Sequence, residues 1–100
     1  MLERRRLPAA ERDLDDIWLT IARDNPAAAD RVIDDIEVAE RRLAEYPELG
    51  RARDELLPGV RSWVAGAYLL FYRVETSALV VIRVLHGARD LAPALTQRQP

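Results

Sequence analysis

Apolar residues recur at helical spacing from Pro8 onward. Leu14, Ile17, Trp18, Ile21 and Ala22 fall at i, i+3, i+4, i+7 and i+8, which predicts an amphipathic helix over 8–25. Pro8 suits its first turn, where a missing N–H loses no intrahelical bond. The other side carries Arg12, Asp13, Asp15 and Asp16. Asn25-Pro26 restarts the chain, Asn as an N-cap and Pro with φ already set for a helix. The second helix is expected to run to about Tyr46, with Ala29, Val32, Ile33, Ile36, Ala39 and Leu43 along one stripe. Pro47 and Gly50 end it. So short a link between two helices predicts an antiparallel helical hairpin.

After Gly50 the period changes. Residues 51–59 read as a loop with room for a short helical turn, and three β-rich runs follow: VRSWV, AYLLFYRVE and ALVVIRVLH. Gly66-Ala67 and Thr76-Ser77 separate them, short enough for hairpins. Residues 2–7 supply an N-terminal edge strand. The expected fold is α+β in the order β-α-α-β-β-β, with the helical hairpin packed on one face of a three- to four-stranded antiparallel sheet. Alternation sets Tyr68, Leu70, Tyr72 and Val74 against Leu69, Phe71, Arg73 and Glu75. In the last run it sets Val80, Ile82 and Val84 against Leu79, Val81, Arg83 and Leu85. Both faces are more apolar than a sheet with one wet side requires. The arginines mark Leu69, Phe71, Arg73, Leu79, Val81 and Arg83 as the open face and a candidate interface. The alternative is a face partly covered by the loop and the C-terminal tail.

Composition narrows the chemistry. The 100 residues suit one domain, placed at 1–94 with a short tail at 95–100. A net charge of -2 argues against nucleic-acid binding by bulk electrostatics. Lysine is absent, so all 15 cationic side chains are arginines. With no cysteine and a single histidine, His86, neither a disulfide nor a structural zinc site is expected, nor any cofactor. No apolar run approaches the ~20 residues of a membrane span, and the N-terminus lacks a signal-peptide core. A soluble, cytoplasmic protein is expected. Asp13, Asp15, Asp16, Asp34, Asp35 and Glu37 read as the solvated side of the hairpin; Asp15 and Asp16, being adjacent, point about 100° apart. Trp18 reads as core, and Trp63 as a candidate interface anchor.

The order DLDDIW (13–18), NPAAADRVIDDI (25–36), YPELGRARDEL (46–56), PGVRSWVAGAYLLFYRV (58–74) and VIRVLHGARDL (81–91) resembles the RelE/ParE toxin superfamily, above all its ParE branch. The resemblance spans roughly residues 2–92 and implies the fold already read from the pattern. It further implies the toxin of a bacterial type II toxin–antitoxin pair. Such a toxin is bound by a cognate ribbon-helix-helix, ParD-like antitoxin, and reaches operator DNA only through it. RelE-like members cut mRNA in the ribosomal A site, whereas ParE-like members poison DNA gyrase.

Against the nuclease pattern this sequence departs repeatedly. It has no lysine; Leu69 follows Ala67-Tyr68 where that pattern has an arginine after Gly-Tyr; and no tyrosine occurs beyond Tyr72, the late tyrosine position falling near Pro93. His86, with an ordinary pKa of about 6.5, would make a minimal endoribonuclease centre with Arg61, Arg83 and Arg89. Its His-x-x-Arg-Asp setting instead resembles the ParE branch. The expectation is a non-catalytic gyrase inhibitor with no metal or cofactor. Its contacts to antitoxin or target are expected at Trp63, Leu69, Phe71, Arg73, Arg83, His86 and Arg89. The alternatives are a ribosome-dependent endoribonuclease, or a non-toxic relic that binds its antitoxin and acts only in operon repression.

Overall fold

The computed structural model describes residues 1–87. Arg89 and the tail assigned to 95–100 lie outside the described residues. Strand β1 (Glu3–Arg6) leads into helix α1 (Pro8–Ala22), which opens on Pro8 as expected. Helix α2 (Pro26–Glu45) begins at Asn25, whose side chain accepts the Ala28 N–H at 3.0 Å. A 3-10 turn (Pro47–Leu49) and the two-residue strand β2 (Arg51–Ala52) follow. Strands β3 (Arg61–Ala65), β4 (Tyr68–Glu75) and β5 (Ala78–His86) complete the chain of elements.

The sheet has five strands in the order β1-β5-β4-β3-β2. That is one more than expected, because Arg51–Ala52 adds a short pairing to β3. It is also not wholly antiparallel: β1 runs parallel to β5, with Arg4 opposite Leu79 and Arg6 opposite Val81. Four residues with no clear apolar alternation carry no signal for their neighbour or direction. Those follow from the long crossover through the helical hairpin, the kind of connection a parallel pair needs.

Two cores lie on the two faces of the sheet. Leu14, Ile36, Leu43, Leu70, Tyr72, Leu79, Val81 and Val84 form the larger one beneath the hairpin. Val60, Phe71 and Leu85 form the smaller one on the far face, where Leu56 and Leu57 from the loop pack over them. The stripe predicted for α2 is the buried one, with Ala29, Ile36, Ala39 and Leu43 all inside.

The predicted open face does not exist as one surface. Phe71 pairs with Arg83 but Tyr72 pairs with Val81, so β5 carries one extra residue, Ile82, at this point. An extra residue reverses which side chains face which way. Leu79 and Val81 therefore join the hairpin core, as does Val84 beyond the bulge, while Ile82 and Leu85 join Leu69 and Phe71 on the far side. Strict alternation cannot place these five together, and the bulge is why.

Candidate partner-contact surface

The connection from α2 into the sheet is pinned from inside. The Tyr72 hydroxyl donates to the Pro47 carbonyl at 2.6 Å and accepts the Gly50 N–H at 2.9 Å. Burial pushes the Tyr72 phenol pKa up, against smaller lowering effects of the Gly50 amide and the Arg61 charge. Arg61 closes the same turn, donating to the Gly50 carbonyl at 2.6 Å and the Glu48 carbonyl at 3.4 Å. Arg53 ties the following loop down through Ser62 Oγ at 3.2 Å and Glu55 at 2.7 Å. That contact holds the Glu55 carboxyl below its ordinary pKa.

Arginine and carboxylate also meet at two places between the hairpin and the sheet. Glu40, almost wholly buried on α2, accepts from Arg6 through both carboxylate oxygens at 2.9 Å and from Arg4 at 3.2 Å. The hydrogen bond to Glu40 raises the Arg6 pKa, with Glu11 and Glu37 adding to it and burial opposing. Asp13 on α1 takes Arg83 in a fork, at 2.7 and 2.8 Å, and accepts the Val84 N–H at 2.9 Å. A fork of this kind is the strong form of the pair. Asp13 was expected in water; it instead closes the backbone at the bulge. Glu40 was not singled out at all, although a carboxylate four residues after Ile36 and three before Leu43 interrupts the apolar stripe.

The residues proposed for contact scatter. Phe71 is fully buried beneath the loop, a correction to its expected exposure, and Leu69 is half-buried beside it. Arg73 is half-exposed and paired with Glu75. Arg83 is bound to Asp13. Trp63 is half-buried against the hairpin core and also lines a cavity at the outer side of β3. His86 stands at the end of β5, its ring edge-on to Tyr68 with centroids 5.6 Å apart. Trp18, read as core, is instead at the surface, its indole N–H donating to Asp30 at 2.8 Å. The carboxylate four residues into α2 keeps the polar end of the indole outside.

Nor do the candidate nuclease groups within the described residues converge. His86 is level with Tyr68 on β4 and Arg61 with Tyr72. Four residues of strand separate those levels, about 13 Å at ~3.3 Å per residue. Both arginines, Arg61 and Arg83, spend their N–H groups on protein oxygens.

Residues 5–91 match the family model described as "ParE toxin of type II toxin-antitoxin system, parDE". The chain belongs to this ParE toxin family. It is 40% identical over 86 residues to Toxin ParE1 of Mycobacterium tuberculosis, covering 84% of this chain and 88% of that one. Toxin RelE3 of Caulobacter vibrioides is 36% identical over 81 residues, covering 80% of this chain and 88% of the relative. Among solved structures, a chain of the chromosomal ParDE TA system from P. aeruginosa superposes with a TM-score of 0.73 at 22% identity, covering 86% of this chain and 96% of that one. That likeness establishes the shared fold. No helix among the described residues is long and apolar enough to cross a membrane.

Proposed function

We propose that this ParE-family toxin acts in the cytoplasm by binding DNA gyrase, without catalysis, and is neutralised by a ParD-like antitoxin. The observation that carries this reading is the fate of the arginines a nuclease would need. Cleavage by 2′-OH attack calls for cations gathered at one scissile phosphate and a base beside the nucleophile. Arg83 is held by Asp13 and Arg61 by two backbone carbonyls, one on each side of the turn before β2. His86 lies at the other end of β4 from Arg61. The groups serve the fold where a nuclease would present them to RNA. Family membership supports the antitoxin partner.

Induction of the chain alone, with supercoiling by gyrase and bulk translation followed in parallel, tests this. Loss of supercoiling with filamentation, intact translation and relief by the co-expressed antitoxin is expected. mRNA cut in the ribosomal A site, abolished by His86→Ala, would overturn it in favour of the endoribonuclease.

A further inference from the structure

The outer side of β3 is only half covered. Arg51 sits opposite Ser62 and Ala52 opposite Arg61, and the Arg53 N–H donates to the Val60 carbonyl at 2.8 Å. In an antiparallel ladder alternate residues turn their main-chain groups to the same neighbour. Val60 and Ser62 therefore face β2, and so does Val64. But β2 ends at Arg51, where the chain leaves into the 3-10 turn, so the Val64 N–H and C=O meet no strand. Its side chain is 66% exposed.

Beside this open edge lies a cavity of about 320 Å³, lined by Leu49, Arg51, Arg53, Trp63, Val64 and Leu69 among others. Its walls are mainly apolar and its charges are all positive. Arg53 is already joined to Glu55. Arg51 is exposed and makes no hydrogen bond or ion pair among the described residues, adding only a longer-range field at Glu55. An exposed edge without a charge of its own strand to block it is a template for pairing. A second copy of this chain fits poorly, because pairing two such edges about Val64 brings like charges, Arg51 and Arg53 of each copy, to the same seam.

We propose that the edge of β3 receives an extended segment of the antitoxin, paired through the main chain of Val64. An apolar side chain of the segment fills the cavity between Leu49, Trp63 and Leu69, and an acidic one meets Arg51. Main-chain pairing supplies affinity in such strand addition and the side-chain pocket supplies selectivity. The proposal rests on the antitoxin-binding reading and adds to it a place and a chemistry.

Hydrogen exchange at the Val64 amide, measured on the wild-type chain free and bound to full-length cognate antitoxin, tests the edge without any substitution. Affinities of Arg51→Glu and Leu49→Asp, both exposed positions, test the chemistry, with thermal melts to verify folding. Protection of Val64 only in the complex and a loss of about tenfold or more in affinity for each variant are expected. An unprotected Val64 amide in the complex overturns the proposal and leaves antitoxin binding standing. So does wild-type affinity in Arg51→Glu, which removes the acidic segment. Protection of Val64 in the free chain that disappears on dilution assigns the edge to a second copy and also overturns it. A wild-type chain that binds no antitoxin overturns both readings.

Discussion

The Tyr72 hydroxyl sits so close to Gly50 that a β-carbon built on that glycine would lie 2.1 Å from the phenolic oxygen. The same oxygen accepts the Gly50 N–H and donates to Pro47, so one phenol satisfies two main-chain groups of the turn that carries the chain from α2 into the sheet. Gly50→Ala must push the ring aside and is expected to cost about 1–3 kcal/mol, the usual range for overpacking. Tyr72→Phe leaves the buried Gly50 N–H without its acceptor and is expected to cost about 1–3 kcal/mol. Urea denaturation of both single variants and the double variant measures this. The double variant should fall short of the sum, because removing the oxygen relieves the nearest clash but not those with the ring carbons at 2.7 Å.

The same residue predicts an alkaline limit. Burial raises the Tyr72 pKa above its ordinary value of about 10. Above that pH the unfolded chain gives up the phenolic proton while the folded chain keeps it, so stability falls as pH rises. The contribution is fully present below about pH 10 and is lost as pH climbs through the raised folded value. Thermal melts from pH 8 to 11 should show this decline in the wild type and a shallower one in Tyr72→Phe.

Glu40 and Arg6 bind the first strand to the second helix. Removing the carboxylate leaves a partly buried guanidinium with weaker partners, Glu11 at 3.6 Å and Glu37 at 3.7 Å. Glu40→Ala is expected to destabilise by about 2–4 kcal/mol, below the full cost of breaking a buried pair because Arg4 and Arg6 keep some contact with water. Loss of exchange protection in β1 before the remainder of the sheet would locate the effect.

Asp13 fastens the bulge. Asp13→Ala removes both bonds to Arg83 and the acceptor of the Val84 N–H, with an expected cost of about 1–3 kcal/mol. Asp13→Asn keeps an acceptor for Val84 and should lose less. Exchange at the Val84 amide, accelerated in Ala and less so in Asn, reads the difference.

Thr76, in the β4–β5 turn, has φ of 38°, a left-handed value that a β-branched residue adopts only under strain. It is exposed, so nothing packs against the change. Thr76→Gly or Thr76→Asn is expected to stabilise by about 1 kcal/mol. An unchanged or lower melting temperature would show that the turn pays no strain at this residue.

Much was legible from the sequence alone. The spacing of Leu14 to Ala22 and of Ala29 to Leu43, with Pro8 and the Asn25 cap, was enough to specify two helices and their tight antiparallel link. Such signals are local: periodicity and caps depend on residues within a turn or two. The alternation in β4 likewise assigned Tyr72 and Phe71 to opposite faces correctly. Five segments in order also carried the family, since they record the whole pattern and not one site. Only the tertiary structure decided which surfaces are open. The unpaired residue at Ile82 reversed the second half of β5, an effect that depends on partner register and that no single strand announces. Phe71 disappeared under Leu56 and Leu57, and Asp13 and Glu40 left the solvent because arginines from distant strands came to meet them. A carboxylate's surroundings in a fold are set by charges dozens of residues away, so its exposure cannot be read from its own helix.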